Sequence, residues 1–155
     1  LDIRYQNFTA PVTHYILSHY DSNHEGLDYG CGPGPVIAHV LHQNGYNPVL
    51  FDPYFKPDKG YTTRLYDYIY SCEVFEHFWH PAREIEHLLS LLKPKGRLIV
   101  HTALYRNHTP FKGWNYKNDP THVFIYTPET ITFIAQSFNL QIVYWEQSLI
   151  VYEKQ

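Results

Sequence analysis

The 155-residue sequence contains no methionine and only two cysteines, Cys31 and Cys72. Two thiols cannot build the disulfide framework of a small secreted domain. No apolar run approaches the roughly 20 residues needed to cross a bilayer, and the first residues lack the basic-then-apolar pattern of a secretory leader. A cytoplasmic protein without a membrane partner is therefore expected. The chain begins at Leu1, which leaves room for a preceding segment. Charge is also sparse: 12 Lys and Arg stand against 15 Asp and Glu, for a net charge of −3 with His neutral. Without a basic stripe there is no electrostatic attraction to a phosphate backbone, so nucleic acid is not expected as a partner. Oligomeric state has no signature.

What is present is hydrophobic and aromatic. Apolar residues make up 44% of the chain, with 15 Tyr and 9 Phe, enough for one core and one domain over residues 1–155. Apolar positions at helical spacing run from Phe8 to Tyr20, with Thr9 as N-cap and Pro11 in the first turn. A short strand, Leu27–Gly30, leads into a glycine-rich turn. A helix follows from Pro35 to Asn44, stopped by Gly45, and a second strand ends at Asp52. Residues 53–60 form a loop and Tyr61–Leu65 a short edge strand. Tyr66–Cys72 is a third strand, Pro81–Leu92 an amphipathic helix, and Arg97–Thr102 a fourth strand. A long irregular stretch, Ala103–Tyr126, precedes a helix capped by Thr127. Gln141–Glu146 and Leu149–Glu153 have no helix between them and should pair as an antiparallel hairpin. Alternation of buried strands with helices predicts an α/β fold, a mostly parallel sheet covered on both faces.

The chemistry concentrates in Asp28-Tyr29-Gly30-Cys31-Gly32-Pro33-Gly34-Pro35. Glycines at 30, 32 and 34 permit positive φ and bring backbone within contact distance of a ligand. A turn that leaves a strand and opens a helix directs backbone N–H groups into the crevice at the strand's C-terminal end. A dinucleotide site would place its third glycine at position 35, where Pro35 stands, so this spacing argues against NAD. Asp52, at the end of the next strand, is placed to accept hydrogen bonds from ribose hydroxyls.

The segment Leu27–Gly34 resembles the first motif of class I S-adenosylmethionine-dependent methyltransferases, a Rossmann-like, doubly wound fold. Val49–Asp52 resembles that family's second strand with its ribose acid. Tyr66–His77, carrying Glu73-Val74-Phe75-Glu76-His77, resembles the "EVxEH" segment of its small-molecule branch. Leu91–Leu98 resembles its "LLKPGG" turn, with Lys95 where Gly is usual. The resemblance covers about residues 17–151. It implies S-adenosylmethionine as cofactor, with Gly30, Cys31, Gly32 and Gly34 along its methionine moiety and Asp28 near the ammonium group. It further implies Asp52 and Pro53 at the ribose, and Cys72 and Glu73 beneath the methyl group. The short span from Pro53 to Leu65 has no counterpart of the family's acidic adenine contact, so Tyr54 or Phe55 is expected to carry the adenine.

A small-molecule acceptor follows from the same resemblance. Trp114 and Tyr116 in the long loop are candidates to line its pocket, and His122 and His77 are the candidate bases. His101 ends the fourth strand. Glu76, His77, His80 and His87 do not show a convincing metal-ligand spacing, and no metal is expected. A non-catalytic module that binds S-adenosylmethionine or S-adenosylhomocysteine for a partner protein is the alternative.

Overall fold

The computed structural model describes residues 3–155. Six strands form one sheet: β1 (Gly26–Tyr29), β2 (Val49–Phe51), β3 (Tyr66–Cys72), β4 (Leu92–His101), β5 (Leu140–Glu146) and β6 (Leu149–Lys154). Their order is β2-β1-β3-β4-β6-β5. The first four are parallel, while β6 runs antiparallel to β4 and pairs with β5 as the expected hairpin. Four α-helices accompany them: α1 (Ile3–His19), α2 (Val36–Gln43), α3 (Pro81–Ser90) and α4 (Pro128–Ser137). None is long and apolar enough to cross a membrane.

Both faces of the sheet are covered, which explains why its strands read as continuous apolar runs rather than alternating ones. On one face, Val12 and Ile16 of α1 and Ile37 and Leu41 of α2 pack on Tyr68, Tyr70, Ile99 and Val151. On the other, Ile85 and Leu88 of α3 and Ile131 and Ile134 of α4 pack on Leu27, Ile69, Leu98 and Tyr152. The chain leaves β1 toward β2 on one side and later returns to β3 on the other. The C-terminal end of β1 is thus a topological switch point, where open α/β sheets leave a crevice for ligands.

Three local expectations are corrected. The first helix begins at Ile3, so Thr9 and Pro11 lie inside it. Thr9 bonds back to the Tyr5 and Gln6 carbonyls instead of capping. Tyr61–Leu65 is not a strand: Lys59–Thr63 is a 3-10 turn whose N-cap, Asp58, accepts the Gly60 amide. Tyr61 turns inward against Phe51, ring centroids 4.2 Å apart. Finally, β4 starts at Leu92 and carries the Lys93–Gly96 turn within it, with Lys95 at φ 63°. The glycine usual at that position has its physical reason here, because this conformation favours a residue without Cβ. The Thr127 cap forms as expected, reciprocated by Thr130 in a capping box.

Candidate active site

The crevice is built from the ends of the four parallel strands. Gly30 and Gly32 take positive φ, 88° and 64°, whereas Gly34 does not. The need for glycine differs at each. A Cβ on Gly30 would stand 2.4 Å from a Val74 methyl, so β1 and the segment after β3 touch through that gap. Around Gly32 and Gly34 a Cβ would meet nothing within 4 Å. The turn is therefore closed at its root and open at its tip.

The amides are used unequally. Gly30 and Cys31 donate to the Phe51 carbonyl at 2.8 and 3.1 Å. Gly32 donates to Asp52 Oδ2 at 2.9 Å. These groups are engaged in locking the turn to β2, contrary to the expectation that the whole turn presents free amides. The amide of Gly34 and those of the first turn of α2 make no hydrogen bond among the described residues, as at any helix start. Pro35 is the N-cap residue of α2, with no side-chain bond to offer.

Asp52 is buried and faces the turn. Its Oδ1 accepts the amides of Tyr54 and Phe55 at 2.9 and 3.1 Å. A carboxylate has about four acceptor positions, so these bonds and that from Gly32 leave room for roughly one ribose hydroxyl rather than both. Tyr54 and Phe55 are exposed beside it. Asp28 is also buried, and its pKa is pushed up to about 8, first by burial and then by the Asp52 charge, with Tyr70 acting in the opposite sense. The Tyr70 hydroxyl lies beside it, buried and without a hydrogen bond of good geometry.

Cys31, two residues past β1, and Cys72, the last residue of the neighbouring β3, are both free thiols. Burial raises the Cys72 pKa, and the negative charges of Glu73, Asp28 and Glu76 add to it, so this thiol is no nucleophile at neutral pH. Glu73 holds a positive φ of 54° and donates its amide to the His101 carbonyl at 2.8 Å. His101 Nδ1 lies 3.6 Å from Glu73 Oε1 and 3.6 Å from Cys72 Sγ. Sequence reasoning left α1 out of this neighbourhood. Phe8 meets the His101 ring edge-on at 5.0 Å. The Tyr5 hydroxyl has a raised pKa from burial and from the charges of Cys72, Asp28 and Glu73. The spacing of Tyr5, Phe8 and Val12 on one helix face was the available signal. A cavity of about 720 Å³ opens between α1 and the β5–β6 turn, with Phe8, His14, Tyr15, His101 and Glu146 in its wall.

The long loop folds back onto the segment after β3. Val123 and Phe124 donate amides to the Glu76 carbonyl at 2.9 and 3.1 Å. The Glu76 side chain is fully buried, accepting Tyr116 Oη at 2.5 Å and Thr102 Oγ1 at 3.0 Å. These bonds bring His77 and His122 together, ring centroids 4.9 Å apart. Trp114 stacks obliquely on Tyr116 at 5.2 Å, and Tyr116 on His122 at 4.1 Å. Since its hydroxyl is held by Glu76, Tyr116 has mainly its ring face to offer an acceptor. His87 belongs elsewhere, bonded to Tyr61 at 3.0 Å.

The sequence profile of a methyltransferase domain matches residues 2–144. The chain belongs to this methyltransferase-domain family. No curated protein matches the sequence significantly. Among solved structures, an O-methyltransferase family protein from Burkholderia thailandensis superposes with a TM-score of 0.68 at 15% identity, covering 96% of this chain and 56% of that one. The 1,6-didemethyltoxoflavin-N1-methyltransferase of Burkholderia thailandensis, solved with its substrate and S-adenosylhomocysteine, gives 0.70 at 12% identity, covering 94% and 77%. The magnesium protoporphyrin IX methyltransferase of Synechocystis PCC 6803, with bound S-adenosylhomocysteine, gives 0.67 at 15%, covering 99% and 84%. At such identities the likeness is one of fold. This methyltransferase domain spans just over half the length of the first of these proteins.

Proposed function

We propose that this methyltransferase domain, taken as one unit over residues 1–155, transfers a methyl group from S-adenosylmethionine to a small-molecule acceptor. The observation that carries this reading is the open tip of the glycine turn facing a buried acid. Gly32 and Gly34 leave space for a ligand, and Asp52, fixed by three backbone amides, keeps one acceptor position toward it. The donor set fits the cofactor. Gly34 and the α2 amides suit the carboxylate of its methionine end. Buried Asp28, with Gly30 and Cys31 above it, suits the ammonium group, and Asp52 and Pro53 suit the ribose. Cys72 and the constrained Glu73 form the floor near the methyl. Its two free thiols fit a reducing, cytoplasmic compartment.

Bound there, S-adenosylmethionine supplies an electrophilic methyl group on sulfur. The protein's own task is to align the acceptor and exclude water. Trp114 and the Tyr116 ring form one wall for the acceptor. The Nδ1 atoms of His77 and His122 lie 3.0 and 2.7 Å from the Thr121 and Tyr116 carbonyl oxygens. A carbonyl only accepts, so each Nδ1 carries the hydrogen and each Nε2 keeps a lone pair able to take a proton from an acceptor hydroxyl or amine.

Incubation with S-adenosylmethionine and a panel of small aromatic alcohols and amines tests the reading, with S-adenosylhomocysteine as readout. Product formation that falls by about 10²-fold or more in His122→Ala, with cofactor affinity retained, is the expected result. Tight cofactor binding with no turnover on any acceptor would instead favour a non-catalytic binding module, and absence of binding would overturn both.

A further inference from the structure

The cluster at the acceptor end holds more donors of electron pairs than a proton shuttle requires. Ligand atoms of Glu76, His77 and His122 all lie within 4.8 Å of one another. His77 Nε2 stands 3.9 Å from Glu76 Oε1. In the neutral imidazoles no hydrogen lies on either Nε2, because both Nδ1 atoms are committed to backbone carbonyls. Two imidazole lone pairs thus converge with a carboxylate oxygen that already accepts the Tyr116 hydroxyl, an arrangement that a cation stabilises.

The surroundings match those of metal-binding side chains. Ligating histidines characteristically donate the far ring N–H to a carbonyl or carboxylate, which fixes tautomer and orientation, and ligating carboxylates are themselves hydrogen-bonded. Both conditions hold: Thr121 and Tyr116 carbonyls fix the imidazoles, and Thr102 and the Tyr116 hydroxyl hold Glu76. A fourth group, Asp119 Oδ2, lies 3.7 Å from His122 Nε2.

We propose that Glu76, His77 and His122 form a binding site for a zinc-class divalent ion, through two imidazole Nε2 atoms and one carboxylate oxygen. Two imidazoles and one carboxylate leave one tetrahedral position open, and imidazole ligands favour zinc and its first-row neighbours over magnesium or calcium. Ligands about 2.1 Å from zinc sit roughly 3.4 Å from each other, so the side chains must close by about 1 Å. His77, part-exposed on a 3-10 turn, is free to do so. The sequence grouping with His80 and His87 missed this set because His122 is supplied by the loop after β4. An ion here competes with a proton for the nitrogens assigned above as proton acceptors. The inference rests on that placement of the site but not on turnover.

The test uses the full chain without a polyhistidine tag, stripped with a chelator and titrated with Co²⁺ and then Zn²⁺. One equivalent of Co²⁺ should give visible d–d absorption, which Zn²⁺ then bleaches. His77→Ala and His122→Ala should each weaken Co²⁺ binding by at least about 10-fold, and Thr102→Val, which removes only an orienting bond, by about 10-fold. His39→Ala, exposed on α2, should bind as the parent does. Absence of a one-equivalent Co²⁺ signal, or an undiminished signal in a folded His77→Ala/His122→Ala protein, overturns the proposal. S-adenosylhomocysteine titration of the same chelated protein reports separately on the methyltransferase reading.

Discussion

Asp52 Oδ2 accepts the Gly32 amide at 2.9 Å, so the acid that ends β2 holds the glycine turn that leaves β1. One carboxylate positions the turn and leaves about one acceptor position unfilled. Asp52→Asn places an amide NH₂ opposite backbone donors at one of its two ends. Its expected cost is about 1–3 kcal/mol of stability, seen as a lower denaturant midpoint. Affinity for S-adenosylhomocysteine should fall at least about 10-fold by calorimetry, the equivalent of one lost charge-assisted hydrogen bond.

The glycines separate folding from binding. Gly30→Ala puts a methyl 2.4 Å from Val74 at a φ of 88°, and should destabilise the protein by about 2 kcal/mol or more through overpacking and backbone strain. Gly34→Ala meets no neighbour within 4 Å and has an ordinary φ. Its melting temperature should stay within a few degrees of the parent while cofactor affinity drops. Equal thermal loss in both variants would contradict this division of roles.

Asp28 makes stability depend on pH. Its folded pKa, raised to about 8 by burial, lies above the ordinary carboxylate value, so between roughly pH 4 and 8 the folded state binds more protons than the unfolded state. Stability contributed by this group should be greatest at the acid end and fall as pH rises through that window. The difference in melting temperature between parent and Asp28→Asn should shift in favour of the variant with rising pH. On the proposed pairing of the cofactor's ammonium group with the ionised Asp28 carboxylate, ligand binding should release a proton near pH 7, detectable as heats that vary with buffer ionisation enthalpy.

Lys95 carries a left-handed φ of 63° on an exposed turn, and its ammonium reaches only Gln155 and, at 3.9 Å, Glu153. Such surface contacts contribute little. Lys95→Gly should therefore stabilise the protein by about 1 kcal/mol, raising the melting temperature by about 2–4 °C.

Much of this was readable from local pattern. Tyr66–Cys72 is a strand with the expected bounds because Tyr66, Tyr68, Ile69 and Tyr70 all bury in the sheet, and the α4 cap lies within four consecutive residues. Non-local features were not readable. Tyr116 reaches Glu76 across 40 residues, and that bond places His122 beside His77. The start of α1 was hidden because Thr9 and Pro11 imitate a helix N-terminus, while the aromatic positions ahead of them, Tyr5 and Phe8, stay exposed and outside both core clusters. At Tyr61–Leu65 no strand forms, because Asp58 caps a tight turn that sends Tyr61 inward without strand pairing.

On the proposed function, a nucleoside with an amino-acid tail binds between Gly34, Asp28 and Asp52. Calorimetric titration of S-adenosylhomocysteine into the parent protein and into Gly34→Val tests it most directly. The expected result is one saturable site in the parent and, with the fold retained by circular dichroism, its loss when the isopropyl group fills the tip of the turn. No binding to the parent, or equal binding to both, would contradict it.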